Sequence, residues 1–180
     1  MRSILLAAGA ALALNACVAP SAPVATRTLI ASDAATSLAV GESVVEETST
    51  QAAAEGMDPV VSLALRHADG RRLSFQQANH TNNDLLAQSP GGALAQIMGL
   101  QGEESATLYH AVSGEDASES AFFCGPQGPA AIGAYAAADG TLLVVGLRQA
   151  IEFETRVDGE TYALPYSPDQ VCARLRFRQG

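Results

Sequence analysis

Three Asp-Gly pairs constrain this chain more than any other feature: His67-Ala68-Asp69-Gly70-Arg71, Ala138-Asp139-Gly140-Thr141 and Val157-Asp158-Gly159-Glu160. Asp-Gly between runs that alternate apolar and polar residues marks a β-hairpin. The side-chain period of a strand then tests the loop length, because a one-residue slip sends every apolar side chain to the wrong face. Before the first turn Val61, Leu63 and Leu65 share a face; after it Leu73 and Phe75 do. A three-residue loop, Ala68-Asp69-Gly70, pairs Leu65 with Leu73 and Leu63 with Phe75, with Gly70 left-handed in a G1 bulge. At the third turn a two-residue Asp158-Gly159 loop is expected, opposing Thr155 to Tyr162 and Phe153 to Leu164. The middle turn is undecided, because both flanking faces are mostly apolar.

Further strands follow from short β-type runs over 106–112, 120–124, 130–137, 142–148, 151–157 and 171–178. One helix is expected after Ser89-Pro90, an N-cap followed by proline at the first helical position. Leu94, Ile97 and Met98 form its apolar stripe, and Gly99 sits at the C′ position. Residues 83–88 are a second candidate helical turn. The expected fold is mainly β or α+β: an antiparallel sheet of hairpins, with a small barrel or half-barrel as its curled form, and one or two short helices.

Domain limits follow from the large side chains. All nine aromatic residues lie after Met57, and burial stabilises in proportion to apolar area. The foldable unit is therefore expected at 57–180, a common size for a single domain. Residues 17–56 carry Arg27 against Asp33, Glu42, Glu46, Glu47 and Glu55, with no sustained hydrophobic period. They read as an Ala/Ser/Thr/Glu-rich flexible tether. A short helix over 42–54 and a strand over 26–30 are the alternatives within it.

The N-terminus has one positive residue, Arg2, ahead of an apolar run from Ile4 to Leu14. A membrane-spanning helix needs about 20 apolar residues; this run is shorter and has the form of an export signal. Its end, Leu14-Asn15-Ala16-Cys17, resembles the lipobox of bacterial lipoproteins. The resemblance implies cleavage after residue 16, so that 1–16 is a lipoprotein signal peptide, and acylation of Cys17. Two or three acyl chains hold a protein on a bilayer where one alone is marginal. By the same resemblance, Val18 in place of Asp directs the product to the periplasmic face of the outer membrane. The membrane, reached through lipid on Cys17, is thus the first expected partner.

With Cys17 lipidated, Cys124 and Cys172 remain, and two cysteines in an exported protein read as one disulfide. It closes a loop of about 49 residues, worth about 4 kcal/mol in the chain-entropy model. The formal charge of −9 argues against nucleic-acid binding, which needs many phosphate-neutralising cations. His67, His80 and His110 lack metal-ligand neighbours at zinc spacing, and no nucleophile elbow, phosphate loop or dinucleotide fingerprint occurs. No metal, cofactor or catalytic residue is assigned.

Two stretches are candidate binding surfaces. One is the polar run 76–84 with Asn79, His80 and Asn82, whose plainer reading is turn and cap chemistry. The other is the arginine row Arg174, Arg176 and Arg178, alternating with Val171, Ala173, Leu175 and Phe177. It suits an anionic partner or, more plainly, a solvated strand face paired with Glu152 and Glu154. The expected function is a lipid-anchored module binding an envelope protein or glycan. In outline it resembles small outer-membrane lipoproteins that inhibit lysozyme, without their residue motifs. The alternative is a small periplasmic hydrolase whose site gathers dispersed His, Ser and Asp residues, a reading favoured by a pocket that holds His80 or His110 within hydrogen-bond reach of a Ser and a carboxylate.

Overall fold

The structure, a computed structural model, describes residues 25–34, 36–50, 60–79, 94–100, 106–112, 121–164 and 167–180. Eight strands close into an antiparallel barrel: β1 (Ala25–Ser32), β2 (Val44–Thr50), β3 (Val60–Arg66), β4 (Arg72–Gln77), β5 (Thr107–Ala111), β6 (Ala131–Ala136), β7 (Thr141–Leu147) and β10 (Val171–Gln179). The order around the barrel is β1-β10-β7-β6-β5-β4-β3-β2, and β1 pairs with both β10 and β2. A separate hairpin, β8 (Phe153–Thr155) and β9 (Thr161–Ala163), and one helical turn, α1 (Leu94–Met98), complete the elements named here. Closure removes the free sheet edges that would otherwise pair with other chains.

Two expectations about the tether are corrected. Residues 25–32 and 44–50 are barrel strands, so the domain begins at least as early as Ala25, and the helix expected over 42–54 is strand β2 up to Thr50. The strand alternative over 26–30 is the one that matches. Leu29 and Val45 are fully inside the barrel, so each strand supplies one large inward side chain. Two strands with so little apolar surface are held by the ladder and by closure, not by a core of their own.

All three Asp-Gly turns adopt one geometry. The first residue of each turn donates its N–H across the loop: His67 to Arg71 O (2.9 Å), Ala137 to Thr141 O (2.8 Å) and Arg156 to Glu160 O (2.8 Å). The glycine is left-handed each time, with φ of 95° at Gly70, 82° at Gly140 and 88° at Gly159. The aspartate carboxylate accepts the N–H two residues on, from Arg71, Thr141 and Glu160. The first register is as expected, with Leu65 opposite Leu73 and Leu63 opposite Phe75. The third is not: the loop has three residues, Val157-Asp158-Gly159, so Phe153 opposes Ala163 and Thr155 opposes Thr161. Glu154 and Tyr162 are then neighbours, and the Tyr162 hydroxyl donates to Glu154 Oε2 at 2.9 Å. This hairpin lies outside the barrel; its three-residue turn sets Phe153 opposite Ala163, and both pack on the outer core instead of matching Phe153 with Leu164.

The sheet has two cores. Inside lie Leu63, Leu65, Leu73, Phe75, Ile132, Val144, Leu175 and Phe177, with Phe122 and Phe123 entering from a loop. Outside, Leu108, Ala131, Val145 and Leu147 pack with Leu94 and Met98 of α1, Ile151, and Ala163 of β9. Strand β7 is thus covered on both faces, which explains the apolar character around the middle turn. Gly133 of β6 lets α1 sit close: a Cβ there would lie 2.7 Å from Leu94 Cδ1 and 2.9 Å from Met98 Sδ. The expected C′ glycine is confirmed, for Gly99 has φ 76°. Gly99 donates to Gln96 O (3.0 Å) and Leu100 to Ala95 O (2.9 Å), the Schellman pattern. Gly133→Ala is expected to cost about 1 kcal/mol by overpacking against flexible side-chain ends. Amide exchange should show the loss, with Gly99 and Leu100 exchanging faster while β3 and β4 stay protected. The start of that helix at Ser89-Pro90 and the turn over 83–88 lie outside the described residues.

Candidate functional site

The registers assign each strand end to one of two barrel ends. Ala25, Thr50, Val60, Gln77, Thr107, Ala136, Thr141 and Gln179 share one end; Ser32, Val44, Arg66, Arg72, Ala111, Ala131, Leu147 and Val171 share the other.

The second end is plugged. Residues 121–124, the described part of the strand expected over 120–124, are turn and bend instead, and they bury Phe122 and Phe123 side by side. Phe122 O accepts hydrogen bonds from Ser37 N–H (3.3 Å) and Ser37 Oγ (3.2 Å). Its ring lies 5.3 Å from the His67 ring and 5.1 Å beneath the Arg71 guanidinium. Arg71 also grips Asp69, with Nε to Oδ2 at 2.8 Å. That bond, with lesser help from His67, holds the Asp69 carboxyl well below the usual carboxylate range. The disulfide between Cys124 and Cys172 is formed, with Cα atoms 5.0 Å apart, and fastens the plug to β10. Cys124 is left-handed at φ 67°, a conformation costing about 1–2 kcal/mol for a residue with a Cβ. Gly146 of β7 makes the room: a Cβ there would lie 2.4 Å from Cys124 Sγ and 2.9 Å from Phe123 Cζ. A concavity of about 290 Å³ beside the plug is lined by Cys124, Pro126, Gln127, Gly128 and Arg148.

The first end carries charge inside the barrel. Arg27 stands opposite Val45, and Glu47 opposite Leu63, so both share the inward face. Arg27 Nη1 meets Glu47 Oε2 at 2.9 Å, with side-chain exposures of 14% and 37%. Arg27 Nε is buried with no partner among the described residues. Tyr109 of β5 points into the same interior. Burial first, then the Glu47 charge, pushes its hydroxyl up to about 12, against a smaller opposing pull from Arg27. Sequence reasoning missed this cluster by reading 17–56 as tether. The signal was the alternation of Arg27 with Leu29 and of Val45 with Glu47.

Two predictions arise here. Arg27→Leu leaves Glu47 facing an apolar wall; because Glu47 is over a third exposed, the expected loss is about 1–2 kcal/mol in urea melts. Adding Glu47→Leu should recover most of it. For Tyr109, the folded state holds its proton above pH 10 while the unfolded state releases it. Stability therefore falls as pH rises from about 10 to about 12. Tyr109→Phe should flatten that decline in alkaline melts.

The other expected site residues disperse. Arg174, Arg176 and Arg178 are exposed on the outer face of β10. Arg174 is occupied, donating from Nη2 to Ile97 O of α1 at 3.0 Å. Arg178 lies opposite Thr28 and Thr141, and Arg176 opposite Ala31 and Leu143. The expected pairing with Glu152 and Glu154 is not found, because β8 pairs with β9 and not with β10. Asn79 is exposed after β4; His80, Asn82 and Cys17 lie outside the described residues. His110 lies on β5 opposite Gln76 and Ala131, with no bond to a described serine or carboxylate. Among the described residues no group of His, Cys, Asp and Glu gathers to hold a metal ion.

Comparison with protein-family models, with curated proteins and with solved structures gave no match. The functional reading therefore rests on the chain's own residues.

Proposed function

We propose that this chain is a lipid-anchored cell-envelope protein whose barrel is a binding module displayed in the periplasm, at the outer membrane. The observation that carries the reading is Leu14-Asn15-Ala16-Cys17 closing a short apolar run. The formed disulfide is consistent with an oxidising compartment. A barrel of eight strands is just wide enough for its own side chains to fill, and here Phe75, Phe122, Phe123 and Phe177 do so. Binding by such a barrel uses its ends and outer surface. An envelope protein or glycan is the proposed class of partner.

The test is metabolic labelling with radioactive palmitate. The natural chain should take up label and Cys17→Ala should not; equal labelling of both overturns the anchor.

A further inference from the structure

A closed wall of strands leaves the barrel interior open to water only at its ends, and the plug shuts one of them. Toward the other end the inward positions change character. Leu29 of β1, Val45 of β2, Phe75 of β4 and Phe177 of β10 are each at most 2% exposed. Two residues nearer the unplugged end, on the same inward face, these strands carry Arg27, Glu47, Gln77 and Gln179. None of the four is buried. Polar residues on a barrel wall ordinarily face outward; here four face inward and ring the mouth above an apolar floor. The exposure of the Glu47 side chain, 37%, and of the Arg27 side chain, 14%, shows that water enters there.

The ring carries no net charge. Arg27 Nη1 is held by Glu47 Oε2 at 2.9 Å, so an anion entering the mouth meets Glu47 and a cation meets Arg27. Arg178 lies at the same end but on the outer face of β10, opposite Thr28 and Thr141, and so stands outside the ring. Bonding capacity nevertheless remains. Arg27 Nε is buried with no partner among the described residues, an unmade bond that an entering oxygen can supply. The Glu47 carboxylate has further lone pairs, and the amides of Gln77 and Gln179 each donate and accept. Donors and acceptors set close together without net charge suit adjacent hydroxyl groups, each of which donates one hydrogen bond and accepts two. A barrel of eight strands has room for one small ligand, and barrel mouths are a common place for one. The floor lies two residues in, about 7 Å along a strand, so the mouth admits a single sugar ring and not a chain.

We propose that the unplugged mouth of the barrel binds the terminal residue of a neutral glycan, with Arg27 and Glu47 gripping adjacent hydroxyls and Gln77 and Gln179 closing around them. This rests on the proposed binding module and deepens it, naming one end of the barrel and one class of ligand.

The test titrates the full chain, in a detergent without a sugar headgroup, with diacetylchitobiose, cellobiose and maltose as neutral probes and with digalacturonate and putrescine as charged ones. At least one neutral disaccharide should bind by calorimetry, at least about tenfold more tightly than either charged probe, and should move the Arg27 Nε–H resonance in an NMR spectrum. Arg27→Leu with Glu47→Leu, which removes both charges together, should weaken that binding at least about tenfold. Ala136→Trp is the second variant, should the first fold poorly. Ala136 is exposed at the end of β6, on the inward face it shares with Ala134 and opposite Leu142. A large ring there should block the mouth while the ion pair stays intact. Undiminished binding by a folded variant overturns the mouth as the site and leaves the binding module standing. A charged probe bound more tightly overturns the neutral class. Binding of none of the probes overturns the inference, and palmitate uptake, which does not involve the mouth, decides the anchor separately.

Discussion

Removing the Cys124–Cys172 bond, by Cys124→Ala with Cys172→Ala, is expected to lower the unfolding free energy by about 4 kcal/mol, from the entropy of the loop it closes. Domains of this size have about 5–15 kcal/mol in total, so the loss removes much of the margin. The consequence is also local. Phe122 and Phe123 are carried by a turn without ladder bonds, whose described ties include the disulfide, the two bonds from Ser37, the burial of the rings and the contacts of the Phe122 ring with His67 and Arg71. Without the bond the plug should open before the barrel does. Urea unfolding gives the size of the loss, and amide exchange should show residues 121–128 losing protection first. A variant that loses less than about 1 kcal/mol would mean that the rings and the Ser37 bonds hold the plug without the bridge.

Gly146→Ala is expected to be the most damaging single-methyl change in the barrel, costing about 3 kcal/mol, the upper part of the overpacking range. The added Cβ would meet Cys124 Sγ at 2.4 Å, Phe123 Cζ at 2.9 Å and Cys172 Sγ at 3.1 Å. Two of these three atoms belong to a covalent bridge and cannot swing aside as Leu94 and Met98 can at Gly133. The cost should therefore depend on the bridge. In the background lacking both cysteines, the same substitution should cost less by about 1 kcal/mol or more, a coupling a double-mutant cycle reads directly. Equal costs in both backgrounds would show that the ring of Phe123, and not the sulfur pair, is the obstacle.

The strands that sequence made legible are those whose inward positions hold large apolar side chains. Leu63, Leu65, Leu73 and Phe75 set the first hairpin correctly, because one face there had to be buried. Strands β1 and β2 were hidden by the opposite condition. Their inward positions alternate Leu29 and Val45 with Arg27 and Glu47, so counting aromatic residues placed the domain boundary too late. The third hairpin shows that matching apolar residues across a turn misleads where the strands do not enter the barrel.

Phe122-Phe123 defeated the period-two rule from another direction. Adjacent side chains of a strand point apart, yet both rings are buried, because the left-handed backbone at Cys124 belongs to a plug and not to a strand. The cysteine pairing itself was legible, since assigning Cys17 to lipid left an even pair. The inward ion pair was missed because 17–56 was read as tether, and the concavity at Arg148 because it forms only where the end of β7 meets residues 124–128.

The proposed anchor is lipid on Cys17, eight residues before the first described strand residue, Ala25. Mass spectrometry of the N-terminal peptide of the protein purified from membranes tests it most directly. The expected peptide begins at Cys17, lacks residues 1–16 and carries the added mass of a diacylglyceryl group, with or without a further acyl chain. A peptide that begins elsewhere, or one holding Cys17 as an unmodified thiol, would contradict it.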